Sequence, residues 1–220
     1  MWIFTSLGRP DLIERTVKSY DWGEHSPVLL TLWERDPALQ QYLAKQWPAG
    51  WHIEIVPMRG NGPTYNEMLD RYPDEDCYGF LADDALLDTP GMLKALEDSC
   101  GNWRIAYAND QHWGEALPTM PCIGGDLVRA VGYLAAPLFE HWGIDTMWGE
   151  LGRRLGLLCY RDDLRYTHLN PVWGTAEDDR TYQLARARSI GHNDALRGWL
   201  VGGEFDRLKK RVGEAMRKAA

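Results

Sequence analysis

Short apolar runs alternate with segments of helical periodicity along the first half of the chain. The runs have the length of buried strands, and the segments between them repeat apolar residues at three- and four-residue intervals. This pattern predicts strands at 2–6, 28–33, 52–56 and 78–82, separated by helices at 11–20, 37–47 and 64–72. Strands that alternate with helices form βαβ units, so we expect a mostly parallel sheet flanked by helices.

The second half has a less regular pattern. It predicts strands at 103–108, 120–123 and 157–161 and helices at 92–97, 126–133, 145–155, 175–190, 195–200 and 205–218. The last helix is amphipathic, with Phe205, Leu208 and Val212 on one face and basic residues around it. We therefore predict an α/β catalytic domain over residues 1–174 and a basic helical C-terminal extension over residues 175–220.

Composition is that of an ordinary globular protein, with 45% hydrophobic and 25% charged residues in a chain of 220. No apolar run is long enough to cross a bilayer, and the first residues lack the pattern of a secretion signal. The four cysteines are widely spaced without a CxxC motif, which predicts free thiols rather than disulfides or a zinc site. These features together predict a cytoplasmic protein with no transmembrane segment.

Charge is unevenly distributed along the chain. The net charge is -8, but residues 180–220 carry +6 whereas residues 1–179 carry -14. A basic extension on an acidic body can bind a polyanion such as DNA. It can equally pack on the acidic body as a solvated helix, and the charge pattern leaves both interpretations open.

Asp83 and Asp84 directly follow the fourth predicted strand. Ligands of α/β sheets bind beyond the carboxyl ends of the strands, which is where these residues lie. Adjacent carboxylates repel each other, and a divalent cation relieves that repulsion. Their hard oxygen atoms suit Mg²⁺ or Mn²⁺, which also bind phosphates. The alternative role, a helix cap, already has a candidate in the downstream run Asp88-Thr89-Pro90-Gly91.

Four motifs follow one another along the chain. They are Ile3-Phe4-Thr5-Ser6 with Arg9-Pro10, Arg59-Gly60-Asn61-Gly62-Pro63-Thr64-Tyr65-Asn66, Phe80-Leu81-Ala82-Asp83-Asp84, and Trp142-Gly143-Ile144-Asp145 continuing to Gly149, Leu155 and Gly156. Together they resemble the nucleotide-sugar glycosyltransferases of the GT-A fold, specifically the large family 2. The resemblance covers about residues 1–170 and implies a Rossmann-like GT-A sheet.

The resemblance also implies a role for each candidate residue. Asp84 would bind the Mn²⁺ or Mg²⁺ that bridges the donor phosphates, and His168 would be a second metal ligand. Asp145 would be the base that takes a proton from the acceptor hydroxyl. The donor, most often a UDP-sugar in this family, would contact Thr5, Arg9, Glu34, Arg59, Asn61, Asn66 and Asp83.

Departures from the family pattern leave some roles open. Either Glu34 or Asp36 could replace the aspartate that reads uracil in relatives. A single carboxylate, Asp145, occupies the expected base position, with Glu140 in reserve, and Asp145 could instead cap the following helix. A histidine near a strand end often has only a structural role, which is the alternative for His168.

The resemblance and the residue types predict a metal-dependent, inverting glycosyltransferase. A divalent metal would stabilise the leaving nucleoside diphosphate, and a single base would activate the acceptor hydroxyl for in-line displacement. The expected acceptor is a hydroxymethylated pyrimidine in DNA, because the compact chain is similar to phage-type glycosyltransferases and its basic extension could contact phosphates. Such a base would be flipped out of the duplex.

Other functions remain possible from the sequence. A lipid-linked or small saccharide acceptor is the nearest alternative, since a basic amphipathic helix also suits an anionic membrane. A nucleotidyltransferase is disfavoured by the single glycine in the loop after the first strand, and a non-catalytic nucleotide-sugar binding module would lack the base. Five tryptophans are candidates for stacking on an acceptor, although core packing is the commoner role of each: Trp103, Trp113, Trp142, Trp148 and Trp173.

Overall fold

The computed structural model describes residues 1–20 and 22–219. Its strands are β1 (Trp2–Ser6), β2 (Val28–Trp33), β3 (Trp51–Val56), β4 (Cys77–Ala82), β5 (Ala85–Leu87), β6 (Ile105–Asn109), β7 (Cys122–Gly124) and β8 (Leu158–His168). Its helices are α1 (Pro10–Lys18), α2 (Leu39–Leu43), α3 (Asn61–Arg71), α4 (Met92–Cys100), α5 (Gly125–Val131), α6 (Ile144–Leu155), α7 (Arg180–Arg188), α8 (His192–Val201) and α9 (Gly203–Ala219).

The strands of the described chain form one sheet in the order β3-β2-β1-β4-β7-β6-β8-β5. The first four strands are parallel to one another, as are β6 and β8, whereas β7 is antiparallel to both its neighbours. The predicted α/β class and mostly parallel sheet are therefore confirmed. Because β1, β2 and β4 run in the same direction, their carboxyl ends meet at one edge of the sheet.

Helices cover both faces of the central sheet. Every residue of β1 and β2 is buried, which explains why these strands are continuously apolar rather than alternating. One core lies under α1, α2 and α4, and the other lies under α3, α5, α6, α8 and α9. Phe205, Leu208 and Val212 of α9 belong to the second core, where α9 packs against α5, α6 and α8, so the basic extension packs on the helices that cover this face of the sheet.

β5 and β8 show the largest differences from the predicted strands. β5 has no counterpart among the predicted strands. It has only three residues and follows the acidic pair directly, so it is too short to give a strand pattern of its own. β8 continues to His168, well past the predicted end at Arg161, because it pairs with β6 on one side and with β5 on the other. Its polar middle residues lie on the surface, so they gave no apolar signal.

Helix α3 begins three residues earlier than predicted. Gly60 has a φ of 96°, and residues 61–63, which precede the predicted helix, form its first turn. A side chain at Gly62 would lie 2.0 Å from the carbonyl oxygen of Phe139, so this turn packs tightly on the segment before α6. In the described part of the chain, no helix has both the length and the apolar character needed to cross a membrane.

Candidate functional site

A cavity of about 490 Å³ opens at the carboxyl ends of β1 and β4. Seven of the ten residues predicted from the sequence line it: Thr5, Arg9, Asn61, Asp83, Asp84, Asp145 and His168. Glu34, Arg59 and Asn66 are not part of its lining. The fold therefore brings most of the predicted residues together from five separate segments of the chain.

Asp83 is directed into the protein. Its carboxylate accepts hydrogen bonds from the Ser6 hydroxyl at 2.7 Å and from Arg9 Nη1 at 3.0 Å, and its backbone carbonyl accepts one from Thr16. Burial raises the pKa of Asp83, and repulsion from Asp84 adds to that rise against the opposing effect of Arg9. Asp83 thus holds Arg9 and the end of β1 in place beneath the cavity.

Asp84 and His168 face each other at the cavity. His168 Nε2 lies 3.6 Å from Asp84 Oδ1, and the hydroxyl of Tyr182 donates to Asp84 Oδ2 at 2.8 Å. The pairing of Ala85 with His168 across β5 and β8 creates this contact. The other ring nitrogen of His168, Nδ1, is buried and has no hydrogen-bond partner among the described residues.

These side chains fit a divalent cation. A carboxylate oxygen and an imidazole nitrogen are ligands that Mn²⁺ accepts, and Nε2 of His168, the ring nitrogen that faces Asp84, is the one placed to bind the ion. Ions of this class often take only one or two protein ligands and complete their coordination with water and phosphate oxygens. Asp84 and His168 would hold the ion, and Asp83 would contribute its charge from behind.

Arg9 connects the acidic pair to helix α7. Its guanidinium forms two hydrogen bonds with the Asp179 carboxylate, at 2.7 and 2.8 Å, and lies 4.0 Å from the centre of the Tyr182 ring. Asp179 also caps α7 by accepting hydrogen bonds from the backbone amides of Thr181 and Tyr182. Sequence reasoning missed Asp179 and Tyr182, because neither follows a strand or belongs to a motif.

Asp145 lies in the first turn of α6, on the wall of the cavity. The residue at the N-cap is Gly143, with a φ of 91°, so Asp145 is not the helix cap that the sequence allowed as an alternative. Asp145 Oδ1 accepts a hydrogen bond from the Thr146 amide at 2.7 Å. Burial raises the pKa of Asp145 above its usual range, which makes the carboxylate a stronger base.

The cavity floor is aromatic. Tyr65 stacks on Phe80 with ring centres 4.3 Å apart, and burial raises the pKa of Tyr65 to about 12, so its hydroxyl stays protonated. His141 also lines the cavity, and burial together with the charge of Arg188 lowers its pKa to about 4. His141 is therefore neutral at physiological pH.

The remaining predicted donor residues have partners elsewhere. The side-chain amide of Asn66 donates a hydrogen bond to the carbonyl of Ala135 and accepts hydrogen bonds from the backbone amides of Leu134 and Ala135. These contacts join α3 to the segment before α6. Arg59 pairs with Glu67 on the surface at 2.9 Å. The two candidates for the uracil-reading residue also lie outside the cavity lining, since Glu34 is exposed and Asp36 binds the Gly8 and Ala38 amides.

Two exposed tryptophans form the rim of the cavity. Trp113 is 52% exposed and Trp142 is 41% exposed, and both line the opening with Trp173. The Trp113 loop is held by the buried Asp110, whose carboxylate accepts hydrogen bonds from three successive backbone amides between residues 112 and 114. Gln111 in this loop has a φ of 62°, which few non-glycine residues adopt. The loop is therefore rigid, and it holds an indole ring in solvent.

Of the other predicted stacking residues, Trp148 is buried in the core and Trp103 packs against that core. His112 stacks on Trp173 with ring centres 3.7 Å apart, and Trp173 in turn contacts His168 at 5.4 Å. A continuous series of aromatic rings thus leads from the candidate metal ligand to the rim. These stacked rings fix the loop that carries Trp113 relative to the end of β8.

No protein-family model matches this sequence, and no curated protein is similar to it in sequence. Solved structures with the same fold do exist. The mannosyltransferase PcManGT from Pyrobaculum calidifontis, in complex with GDP-Man and Mn²⁺, superposes with a TM-score of 0.62 and 11% identity, over 99% of this chain and 74% of that protein. S. aureus TarS superposes with a TM-score of 0.53 and 12% identity, over 86% of this chain and 39% of TarS. The chain has the GT-A fold.

The same fold also includes an enzyme of another class. The inositol-1-phosphate CTP transferase from T. maritima superposes with a TM-score of 0.50 and 10% identity, over 86% of this chain and 96% of that protein. The predicted GT-A fold is confirmed, but the fold is common to proteins that transfer sugars and proteins that transfer nucleotides. The residues in the cavity must therefore decide between these reactions.

Proposed function

We propose that this protein is a metal-dependent glycosyltransferase that moves a sugar from a nucleotide-diphosphate sugar to an acceptor hydroxyl with inversion. The observation that carries the proposal is that Asp84 and His168 line the same cavity as Asp145. The first two provide an oxygen and a nitrogen ligand for a divalent cation, and the third provides a base. The GDP-Man and Mn²⁺ in the PcManGT complex support this class of donor and metal.

The reaction assigns separate tasks to the residues of the cavity. When bound, the metal would offset the negative charge of the leaving diphosphate. Arg9 adds a positive charge beside the acidic pair, and Asp145 accepts the proton of the acceptor hydroxyl as the new glycosidic bond forms. A single displacement with one base inverts the anomeric carbon. The neutral His141 and the protonated Tyr65 orient polar groups of the donor without adding charge.

Nucleotidyl transfer is the less favoured reaction. It needs a glycine-rich basic loop after β1 to hold a nucleoside triphosphate, whereas the loop here has only Gly8 and its single arginine, Arg9, is paired with carboxylates. The structure of TarS residues 1–349 with UDP superposes with a TM-score of 0.51 and 11% identity, over 75% of this chain and 58% of that one. A nucleoside diphosphate is the product expected from a nucleotide-sugar donor, which supports glycosyl transfer.

The acceptor proposed is a hydroxymethylated pyrimidine in DNA. The exposed Trp113 and Trp142 at the rim could stack on a flipped base, and α7 places Arg186 in the cavity lining. The basic residues of α9 are not part of that lining, so they would contact DNA outside the cavity. A saccharide acceptor would use the same aromatic rings, and a direct comparison of substrates separates the two.

The test is transfer from a panel of nucleotide sugars with and without Mn²⁺. We expect one donor to raise the melting temperature only when Mn²⁺ is present, and Asp84→Asn to abolish that rise. The same donor should be consumed with hydroxymethylated DNA, and not with unmodified DNA. Release of pyrophosphate from a nucleoside triphosphate would contradict glycosyl transfer. Transfer to oligosaccharides and not to DNA would contradict the acceptor while leaving the reaction intact.

A further inference from the structure

Three cysteines converge in the core, away from the cavity. Cys77 is the first residue of β4, Cys100 the last residue of α4 and Cys122 the first residue of β7. Their sulfur atoms all lie within 4.8 Å of one another, with Cys100 and Cys122 3.6 Å apart, and all three residues are buried. The fourth cysteine, Cys159, lies outside this group and is partly exposed.

The sheet register fixes this convergence. β4 and β7 are antiparallel, with Cys77 opposite Gly124 and Cys122 opposite Gly79. Both cysteines therefore point to the same face of the sheet, and α4 covers that face and ends at Cys100. Trp2 packs closely on the neighbouring Gly79, where a Cβ would lie 2.1 Å from the indole ring. These positions are far apart in sequence and form no CxxC motif, so no sequence pattern indicates a thiol cluster.

The spacing of the sulfur atoms suits a bound ion better than a disulfide. An ion bonded to three sulfurs at about 2.3 Å in one plane separates them by about 4.0 Å, which lies between the observed 3.6 Å and the 4.8 Å limit. A disulfide would require two sulfurs to approach to about 2.05 Å, far closer than the observed 3.6 Å. Small movements would therefore complete a three-sulfur site.

The donor set selects the class of ion. The group contains three sulfurs and no imidazole nitrogen or carboxylate oxygen among the described residues, and the protonated α-amino group of Met1 lies beside Cys77. Zinc in structural sites takes four ligands, whereas soft thiolates favour monovalent copper. Hydrogen bonds from the thiols of Cys100 and Cys122 lower the pKa of Cys77, so these protons already lie between the sulfurs that an ion would join. Binding would release them to solvent.

We propose that Cys77, Cys100 and Cys122 form a three-thiolate site for a soft monovalent ion of the Cu(I) class. An ion there ties the C-terminal end of α4 to β4 and β7. Since β4 ends at Ala82, two residues before the candidate metal ligand Asp84, the site would stabilise the strand that leads to that ligand. This role is independent of the reaction proposed for the cavity.

The experiment offers Cu(I), as its bathocuproine complex, to the full-length protein under anaerobic conditions. Because the sulfurs are buried, the ion is offered both to the folded protein and during refolding. We expect one Cu(I) per chain and a higher melting temperature. Cys100→Ala and Cys122→Ala should lose this binding, and the matched control Cys159→Ala should retain it. Absence of transfer, or transfer that depends on Cys159 alone, would overturn the proposal.

Two further measurements complete the test. The first uses the wild-type protein and so does not depend on whether the cysteine variants fold, and the second tests for a disulfide in place of the metal site. X-ray absorption of the Cu(I)-loaded wild-type protein should show three sulfur ligands, and nitrogen or oxygen ligands in their place would refute the site. Mass spectrometry after mild oxidation tests for a disulfide. A mass lower by two hydrogens, with Cys100 and Cys122 protected from alkylation, would replace the metal site with a redox pair.

Discussion

Asp145 is the residue whose loss should slow transfer most. It is the carboxylate of the α6 first turn that lines the cavity and is not used as a helix cap. Asp145→Asn keeps the shape and removes the base, so we expect kcat to fall about 10²- to 10⁴-fold. Donor binding, measured by titration with Mn²⁺ present, should not change. The matched control is Glu140→Gln, which alters the exposed reserve candidate and should leave kcat intact.

The pH dependence of the rate follows from the same residue. Burial raises the pKa of Asp145, and a base acts only when deprotonated, so kcat should fall as the pH drops through that raised pKa. The acidic limb of the profile is therefore expected at a higher pH than an aspartate with its ordinary pKa would give. If the residual activity of Asp145→Asn showed the same acidic limb, the limb would arise from the titration of another group.

Trp113 should contribute to acceptor binding. Its ring is held in solvent by the Asp110 turn, at the rim of the cavity. Stacking on an aromatic ring is worth about 1–3 kcal/mol, so Trp113→Ala should raise the acceptor KM about 5- to 150-fold. The donor KM should stay the same, and Trp113→Phe should recover most of the loss. An unchanged acceptor KM in Trp113→Ala would exclude this ring from acceptor binding.

Sequence reasoning identified the site residues that follow strands. It missed the site residues that come from segments distant in sequence. Asp84 and Asp145 belong to motifs, so their place in the cavity could be expected. Asp179 and Tyr182 reach the site across 170 and 98 residues of sequence, and no periodicity indicates such a contact. Asn66 belongs to a motif too, yet its amide binds backbone groups instead of lining the cavity.

At the scale of elements, Asp179 controls how α7 lies over the cavity. It caps the helix and holds Arg9 with two hydrogen bonds. Asp179→Asn keeps an N-cap of similar strength, because Asn and Asp cap helices about equally well, but it removes the negative charge that holds Arg9 and should therefore raise the donor KM. Asp178→Asn is the control, since the neighbouring Asp178 is paired only with Arg186 in an exposed contact.

The contribution of Asp179 should also depend on pH. Burial acts to raise the pKa of Asp179, but hydrogen bonds from Arg9 and the α7 amides outweigh burial and leave that pKa lowered. A lowered pKa stabilises the folded state above the pKa of the unfolded chain, and this stability is lost as the pH falls. Chemical denaturation from pH 7 to pH 3 should therefore show a smaller decline for Asp179→Asn than for the wild type. If the free energy of unfolding declined equally in the two proteins, Asp179 would not contribute to the pH dependence of stability.

The hydrophobic pattern predicted most elements because buried parallel strands and amphipathic helices have distinct periods. It failed where local signals were weak. β5 has only three residues, and the outer part of β8 is polar because it pairs at the surface. The start of α3 carries glycine and proline, which usually mark loops, but here Gly62 allows close packing on Phe139. Each of these failures depends on a contact with a distant segment.

At the scale of the whole molecule, the basic extension shares a core with the α/β sheet. Phe205 and Val212 of α9 are fully buried in the cluster that includes Leu127 of α5 and Trp148 of α6. Residues 1–174 and 175–220 were predicted as separate units. This shared core leads us to expect that they unfold together, because burial of α9 side chains stabilises both.

Phe205→Ala tests this coupling. Removing a buried phenylalanine costs about 3–5 kcal/mol, and we expect the melting temperature of the entire chain to fall in one transition. Tryptophan fluorescence reports mainly on residues 1–174, which hold ten of the eleven tryptophans, whereas helical circular dichroism also reports on α7, α8 and α9. If the units unfold together, the two signals should have the same midpoint. Val201→Ala is the control, because Val201 is 80% exposed and its loss should change little. If Phe205→Ala melted part of the helical signal early and left the remaining transition unchanged, the extension would be an independent unit on the sheet.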